Sequence, residues 1–170
     1  MGKEMEVLFS QELVSHSDLK VGGIAIFEGG LILKIEDEPD GASIVGFLKG
    51  GEDGGFCWRR LSNQQECNSL GTDWLLTIEP ACDEKNKQSD NREYADGTPF
   101  YLGREGFFAR FQKGRQQQGG SGPCDFDLKN NKKAKQAFSG NPVYDAAIWL
   151  SREHYESPHS KPLVKYCSSS

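Results

Sequence analysis

Ile24-Ala25-Ile26-Phe27-Glu28-Gly29-Gly30-Leu31-Ile32-Leu33-Lys34-Ile35 decides how the chain is read. Two apolar runs rich in β-branched residues flank a short connection whose glycines accept the positive φ of a tight reversal, so the stretch predicts a β-hairpin. Side chains alternate across a strand. Leu31, Leu33 and Ile35 are therefore expected on one face, with Lys34 and Glu36 on an opposite, wet face.

Working outward, the same signals recur at turn-punctuated intervals. Glu36 to Gly41 reads as a reversal because Pro39 presets φ and Asp40-Gly41 supports a turn, and Ser43 to Leu48 then resumes the apolar pattern. Gly50 to Gly55 is a loop, followed by strand-like runs over Phe56–Leu61 and Trp74–Glu79. Residues 80–98 are polar enough to predict a long exposed loop. A second hairpin is expected over Phe100–Phe111, turning at Arg104-Glu105, with Phe107, Ala109 and Phe111 on one face and Phe108 and Arg110 on the other. Residues 114–123, rich in Gly and Gln, form a flexible connector before the strand-like run Cys124–Leu128. One helix is predicted, over residues 142–156. Asn141 would cap it, Pro142 would take its first position, and Val143, Ala146, Ala147 and Leu150 would form its apolar stripe. Residues 162–166 suggest a last strand, while residues 3–14 suit a helix or a strand equally.

These elements predict a mainly β fold in a single domain over residues 1–170, a small barrel or sandwich of short antiparallel strands with one C-terminal helix. A β-trefoil-like arrangement is the alternative, because the hairpin at residues 24–35 is echoed at residues 100–111.

Composition narrows the function classes. The chain has 170 residues, 36% of them hydrophobic and 26% charged, which supplies a genuine core and excludes a disordered chain. No apolar run reaches the length of a membrane helix, and Met1 to Glu6 is too acidic and polar to open a secretory signal. The cysteines Cys57, Cys67, Cys82, Cys124 and Cys167 are odd in number and contain no C-x-x-C pair, which favours reduced thiols and a cytoplasmic location. The formal net charge of −5 is unevenly spread. Residues 1–98 carry nine Lys or Arg against nineteen Asp or Glu, whereas residues 99–170 carry eleven against six. The basic surplus lies between Arg104 and Lys135.

Several chemistries are weighed against this background. The Gly50–Gly55 loop holds Glu52 and Asp53 and leads into a strand, and Gly119-Gly120-Ser121-Gly122 runs into Pro123, so neither offers the helix terminus that a phosphate-binding loop needs. His16, His154 and His159 are scattered, and no close ligand pair points to a metal; no cofactor is expected. A thiol enzyme would use Cys124 with His154 or His159 as the base that lowers its pKa. Asp125 and Asp127 fall on the same face of one strand, where they would suit a cation or a sugar or simply face solvent.

The basic and aromatic segment is the most suggestive feature. Arg104, Phe108, Arg110, Lys113 and Arg115 combine cations with rings, the mixture by which single-strand-binding barrels hold nucleic acid or another polyanion. With no coherent catalytic set, the reading favoured is a non-enzymatic binding module that recognises a protein or glycan through loops or a sheet face. Trp58, Trp74, Tyr101 and Phe108 are the rings expected to offer contacts, together with the cations of the basic hairpin. Nucleic-acid binding is the first alternative and the thiol enzyme the second. No membrane partner is expected.

Overall fold

The computed structural model describes residues 13–51, 55–62, 64–78, 97–114 and 122–167. Over these the chain is mainly β. Its strands are β1 (Leu13–Ser15), β2 (Ile24–Phe27), β3 (Gly30–Asp37), β4 (Ser43–Lys49), β5 (Cys57–Leu61), β6 (Glu66–Gly71) and β7 (Leu75–Ile78) in the first part. They continue with β8 (Phe100–Gly103), β9 (Gly106–Lys113), β10 (Cys124–Asp127), β11 (Lys132–Lys133), β12 (Gly140–Pro142), β13 (Ala146–Trp149) and β14 (Val164–Tyr166). A 3-10 turn at His16–Asp18 and a helix α1 (Arg152–Glu156) complete the described elements.

The deciding hairpin forms as its turn chemistry dictates. Phe27 pairs with Gly30, leaving a two-residue loop in which Glu28 and Gly29 take φ of 50° and 79°. Positive φ at both loop residues twists the chain in the sense the flanking strands require. The Phe100–Phe111 hairpin also forms, with Gly103 opposite Gly106 around Arg104 and Glu105.

Eleven strands form one sheet, whose main path runs β1-β6-β2-β3-β4-β5-β9-β10-β11, with β8 on β9 and β12 on β8. The path is open at both ends, so among the described residues no barrel closes. The two echoing hairpins lie in this one sheet, joined where β5 runs parallel to β9 through Cys57↔Gln112 and Trp58↔Lys113. A second sheet of three strands has the order β14-β13-β7. Both sheets contribute to one core, in which Ile24, Leu33, Ile35, Phe111 and Phe126 meet Ala146, Ile148, Val164 and Tyr166. Close approach is needed on β4, where a Cβ on Gly46 would sit 2.6 Å from the Phe111 ring, so only glycine lets that ring lie across the strand.

Two expectations are corrected. Lys34 does not face water; it is fully buried. The first sheet is covered on both sides, because Leu19, Ala25, Phe27, Ile32, Val45, Phe47, Leu61 and Cys67 form a second core on the face that alternation assigns to Lys34. Its ammonium is satisfied by the His16 carbonyl at 2.9 Å and by the exposed Asp37 carboxylate at 2.5 Å. The second correction is the helix over residues 142–156. Asp145 takes φ of 55°, which breaks any helix there, and Ala146–Trp149 instead forms β13, paired with β7 on one side and β14 on the other. The helix is confined to α1, and its cap is Ser151, whose Oγ accepts the His154 N–H at 3.1 Å. The expected loop at residues 80–98 and connector at residues 114–123 fall largely outside the described residues, as do residues 1–12.

Candidate functional site

The expected aromatic and basic residues are not gathered on one surface. Tyr101 and Phe108 are buried and stacked on each other, with ring centroids 5.4 Å apart. The Arg110 guanidinium lies 5.1 Å from the Tyr101 ring and 5.2 Å from the Phe108 ring. It grips Asp125 with two bonds, Nε to Oδ1 at 2.8 Å and Nη2 to Oδ2 at 2.9 Å, and donates a further bond to the Phe138 carbonyl. The Phe138 N–H returns a bond to Asp125 at 2.8 Å, and its ring meets Phe108 edge-on. This closed knot uses the bidentate fork and both ring faces to hold β8, β9 and β10 to the chain before β12. Phe108 and Arg110 are thus engaged inward, and Asp125 is a buried partner rather than a sugar or cation ligand.

The remaining candidates are dispersed. Trp58 packs in the core and donates its indole N–H to the Gly122 carbonyl at 2.9 Å. Lys113 is half-buried at the end of β9, Arg104 is exposed in the hairpin turn, and Arg115 lies outside the described residues. Cys124 is buried, and burial pushes its thiol up to about 12, with Lys133 pulling the other way and Asp125 and Glu36 adding to the rise. A thiol held so high is protonated at neutral pH. His154 is committed locally, its Nδ1 accepting the Leu150 N–H at 3.1 Å and its ring against Trp149. Among the described residues no three His, Cys, Asp or Glu side chains cluster to hold a metal, and no helix is long and apolar enough to cross a membrane.

Trp74 is the expected residue that does reach a site. It is half-buried in the wall of a cleft of about 470 Å³, with Leu75, Leu76 and Ile78 of β7, Phe107 of β9, and Leu128, Asn131, Gly22 and Thr72 from the surrounding turns. That size and apolar lining suit a ligand site. Several of its walls are pinned by hydrogen bonds. The Trp74 indole N–H donates to the Gly22 carbonyl at 2.7 Å, which fixes the ring and leaves its face as the contact surface. Gly22 itself donates to the Lys34 carbonyl at 2.8 Å, and Lys34 donates back to Gly23 at 2.9 Å. On the far side, Leu128 donates its N–H to the Phe107 carbonyl at 3.1 Å.

The turn that carries Leu128 and Asn131 is organised by Asp127. Its carboxylate accepts the backbone N–H of Lys129 at 2.9 Å, that of Asn130 at 3.1 Å, and the Asn130 side-chain amide at 2.7 Å. Burial alone would raise this carboxyl, but those three donors, aided by Lys132, outweigh it and hold Asp127 below the ordinary carboxylate range. Asn131 follows with φ of 56°, a left-handed conformation that asparagine tolerates, and its amide donates to the Val21 carbonyl at 3.2 Å. Gly22 has φ of 89°, and a Cβ there would fall 1.9 Å from Asn131 Oδ1, so the contact closing this end of the cleft requires glycine. The sequence held the signals for this turn, an Asp whose side chain can cap the two residues that follow and an Asn suited to positive φ, but nothing local pairs it with Gly22.

Exposed charges border the lining. Lys20 precedes Val21-Gly22, Lys129 and Lys132 flank the Asn130-Asn131 turn, and Asp73 precedes Trp74. The Lys129 stem lies against Gly106, next to Phe107. Compared with family models, curated proteins and solved structures, the chain matches none.

Proposed function

We propose that this chain is a binding module that recognises a protein or glycan partner through the Trp74 cleft. The carrying observation is the indole itself. Its polar edge is bonded to Gly22 while its face stays half-exposed among Leu75, Phe107 and Leu128, an arrangement that presents a large apolar contact already fixed in position. A cytoplasmic location goes with that reading, since the five cysteines are odd in number and contain no C-x-x-C pair.

A glycan array and a displayed-peptide library, each probed with wild type and with Trp74→Ala, test the reading. The expected result is a ligand from one of the two whose binding falls by roughly thirtyfold in Trp74→Ala, the loss typical of a buried aromatic anchor. Trp58→Phe serves as the control for a core indole and should leave binding within a few fold. Ligands indifferent to Trp74 would refute the cleft as the site.

Polyanion binding is the second reading, and it is supported by the exposed cations Arg104, Lys129 and Lys132, for which no ion pair is found among the described residues. It no longer has Phe108 and Arg110 to draw on. Oligonucleotide binding of this kind would weaken steeply with salt and would disappear when those three cations are replaced together.

A further inference from the structure

We infer that Ser157 is a phosphorylation site for a proline-directed kinase, and that its modification releases α1 from Trp149. The ground is that the fold separates two otherwise equal motifs. Serine or threonine precedes proline only at Thr98-Pro99 and Ser157-Pro158. A kinase pocket that offers no acceptor to the backbone N–H after the target residue favours proline there, since proline has none. Thr98 is closed to such an enzyme. It is 1% exposed, its Oγ1 accepts the Phe100 N–H at 3.1 Å, and the Pro99 carbonyl accepts the Arg110 N–H at 2.8 Å. Ser157 is differently placed. It ends α1 in extended backbone, with φ of −71° and ψ of 136°, and is itself half-buried. The chain then runs through exposed Pro158 and His159, in a turn closed by the Ser160 N–H on the Ser157 carbonyl at 3.3 Å.

The transfer takes a nucleoside triphosphate as co-reactant. Ser157 Oγ forms a bond to the γ-phosphorus, the bond from that phosphorus to its bridging oxygen breaks, the nucleoside diphosphate leaves, and the hydroxyl proton passes to the kinase. What the phosphate does follows from what the hydroxyl did. The Ser157 hydroxyl donates to the Glu153 carbonyl at 2.8 Å, a bond that a phosphate ester on the same oxygen cannot make. The new negative charge falls at the carbonyl end of α1 close in sequence to Glu153 and Glu156, where the helix dipole and the like charges both oppose it. Arg152 is engaged with Glu156 at 3.8 Å. The helix is poorly anchored, since none of its residues is buried and Tyr155 is 43% exposed. It meets the small sheet through His154 and Tyr155, whose rings stand edge-on to Trp149 with centroids at 5.6 and 5.0 Å. Trp149 donates its indole N–H to the Thr77 hydroxyl of β7 at 2.9 Å, so the indole stays on the sheet when α1 leaves and offers a newly uncovered surface.

The test treats the full chain with Mg-ATP and a cyclin-dependent kinase and maps the product by mass spectrometry. Phosphate is expected on Ser157 and not on Thr98. Ser157→Ala should abolish it, Ser157→Thr should keep the initial rate within about fivefold, and Pro158→Ala should lower that rate about tenfold or more. Amide exchange and NMR spectra of the modified chain then read the consequence. The Tyr155 and Ser157 N–H groups, which bond to the Ser151 and His154 carbonyls, should exchange about tenfold faster. The Trp149 indole resonance should move as two rings depart, while that of Trp58 stays in place. Labelling indifferent to Pro158→Ala, labelling of Thr98 in the native chain, or none on Ser157 overturns the site. Phosphate on Ser157 with exchange in α1 unchanged, or slowed by pairing with His159 or Lys161, overturns the release.

Discussion

Arg110 shows how much a single side chain's role depends on its partners. With its side chain 10% exposed and that of Asp125 3% exposed, the pair is a buried ion pair, and removing one member strands the other charge. Arg110→Ala is expected to cost about 3–5 kcal/mol in urea unfolding, and Arg110→Lys to recover only part of this because an ammonium lacks the planar fork. Asp127 makes a pH-dependent contribution. A carboxyl held below its unfolded value of about 3.8 stabilises the fold fully above that value, and the stabilisation is lost as pH falls through the folded pKa. Urea midpoints measured from pH 5 down to pH 2 should therefore decline more steeply in wild type than in Asp127→Asn. Sequence reading placed Arg110 correctly on the face opposite Ala109 and Phe111, yet could not tell that this face meets Asp125, since a cation beside rings is the same string whether it points at solvent or at a carboxylate. Lys34 was misplaced for a related reason. Alternation tells which residues share a face but not whether that face is wet, and a second core covers it.

Hairpins were the legible elements, because their turns are set by adjacent residues. Glu28-Gly29 and Arg104-Glu105 needed no distant information. The segment after Asn141 was not legible, since Val143, Ala146, Ala147 and Leu150 fit helical spacing while Ala146 and Ile148 fit a strand, and the choice is made by β7 and β14 on either side. The strand β6 escaped notice because Glu66 to Gly71 is largely polar, and β12 because its pairing with β8 lies far off in sequence. The true start of the helix has a direct test. Ser151→Ala removes the cap and should cost about 0.5–2 kcal/mol, whereas Asn141→Ala, exposed in β12, should stay within about 0.5 kcal/mol by thermal or urea unfolding.

At the scale of the whole molecule, the mainly β class was legible from turn frequency, but the sheet order was not, because pairings such as β2 with β6 and β7 with β13 join segments with no local signal in common. The cleft shares that property, since Gly22, Trp74, Phe107 and Asn131 become neighbours only in the finished fold. Global integrity can be read through thiols. Cys57, Cys67 and Cys124 are buried and Cys167 is exposed, so brief iodoacetamide treatment of native protein should modify Cys167 while the other three react only on unfolding, as peptide mapping by mass spectrometry would show. The parallel contact of β5 with β9 bears on the order of assembly. Adjacent hairpins close within microseconds, whereas a parallel seam of two residue pairs, and the bond from the Tyr166 hydroxyl to the Leu48 carbonyl at 2.6 Å across 118 positions, must wait for distant segments to find each other. The seam is therefore expected to form late on the folding route. A weakening substitution there would accelerate unfolding and leave the refolding limb of the chevron almost unmoved, so the lifetime of the native chain is set where its two hairpin systems join.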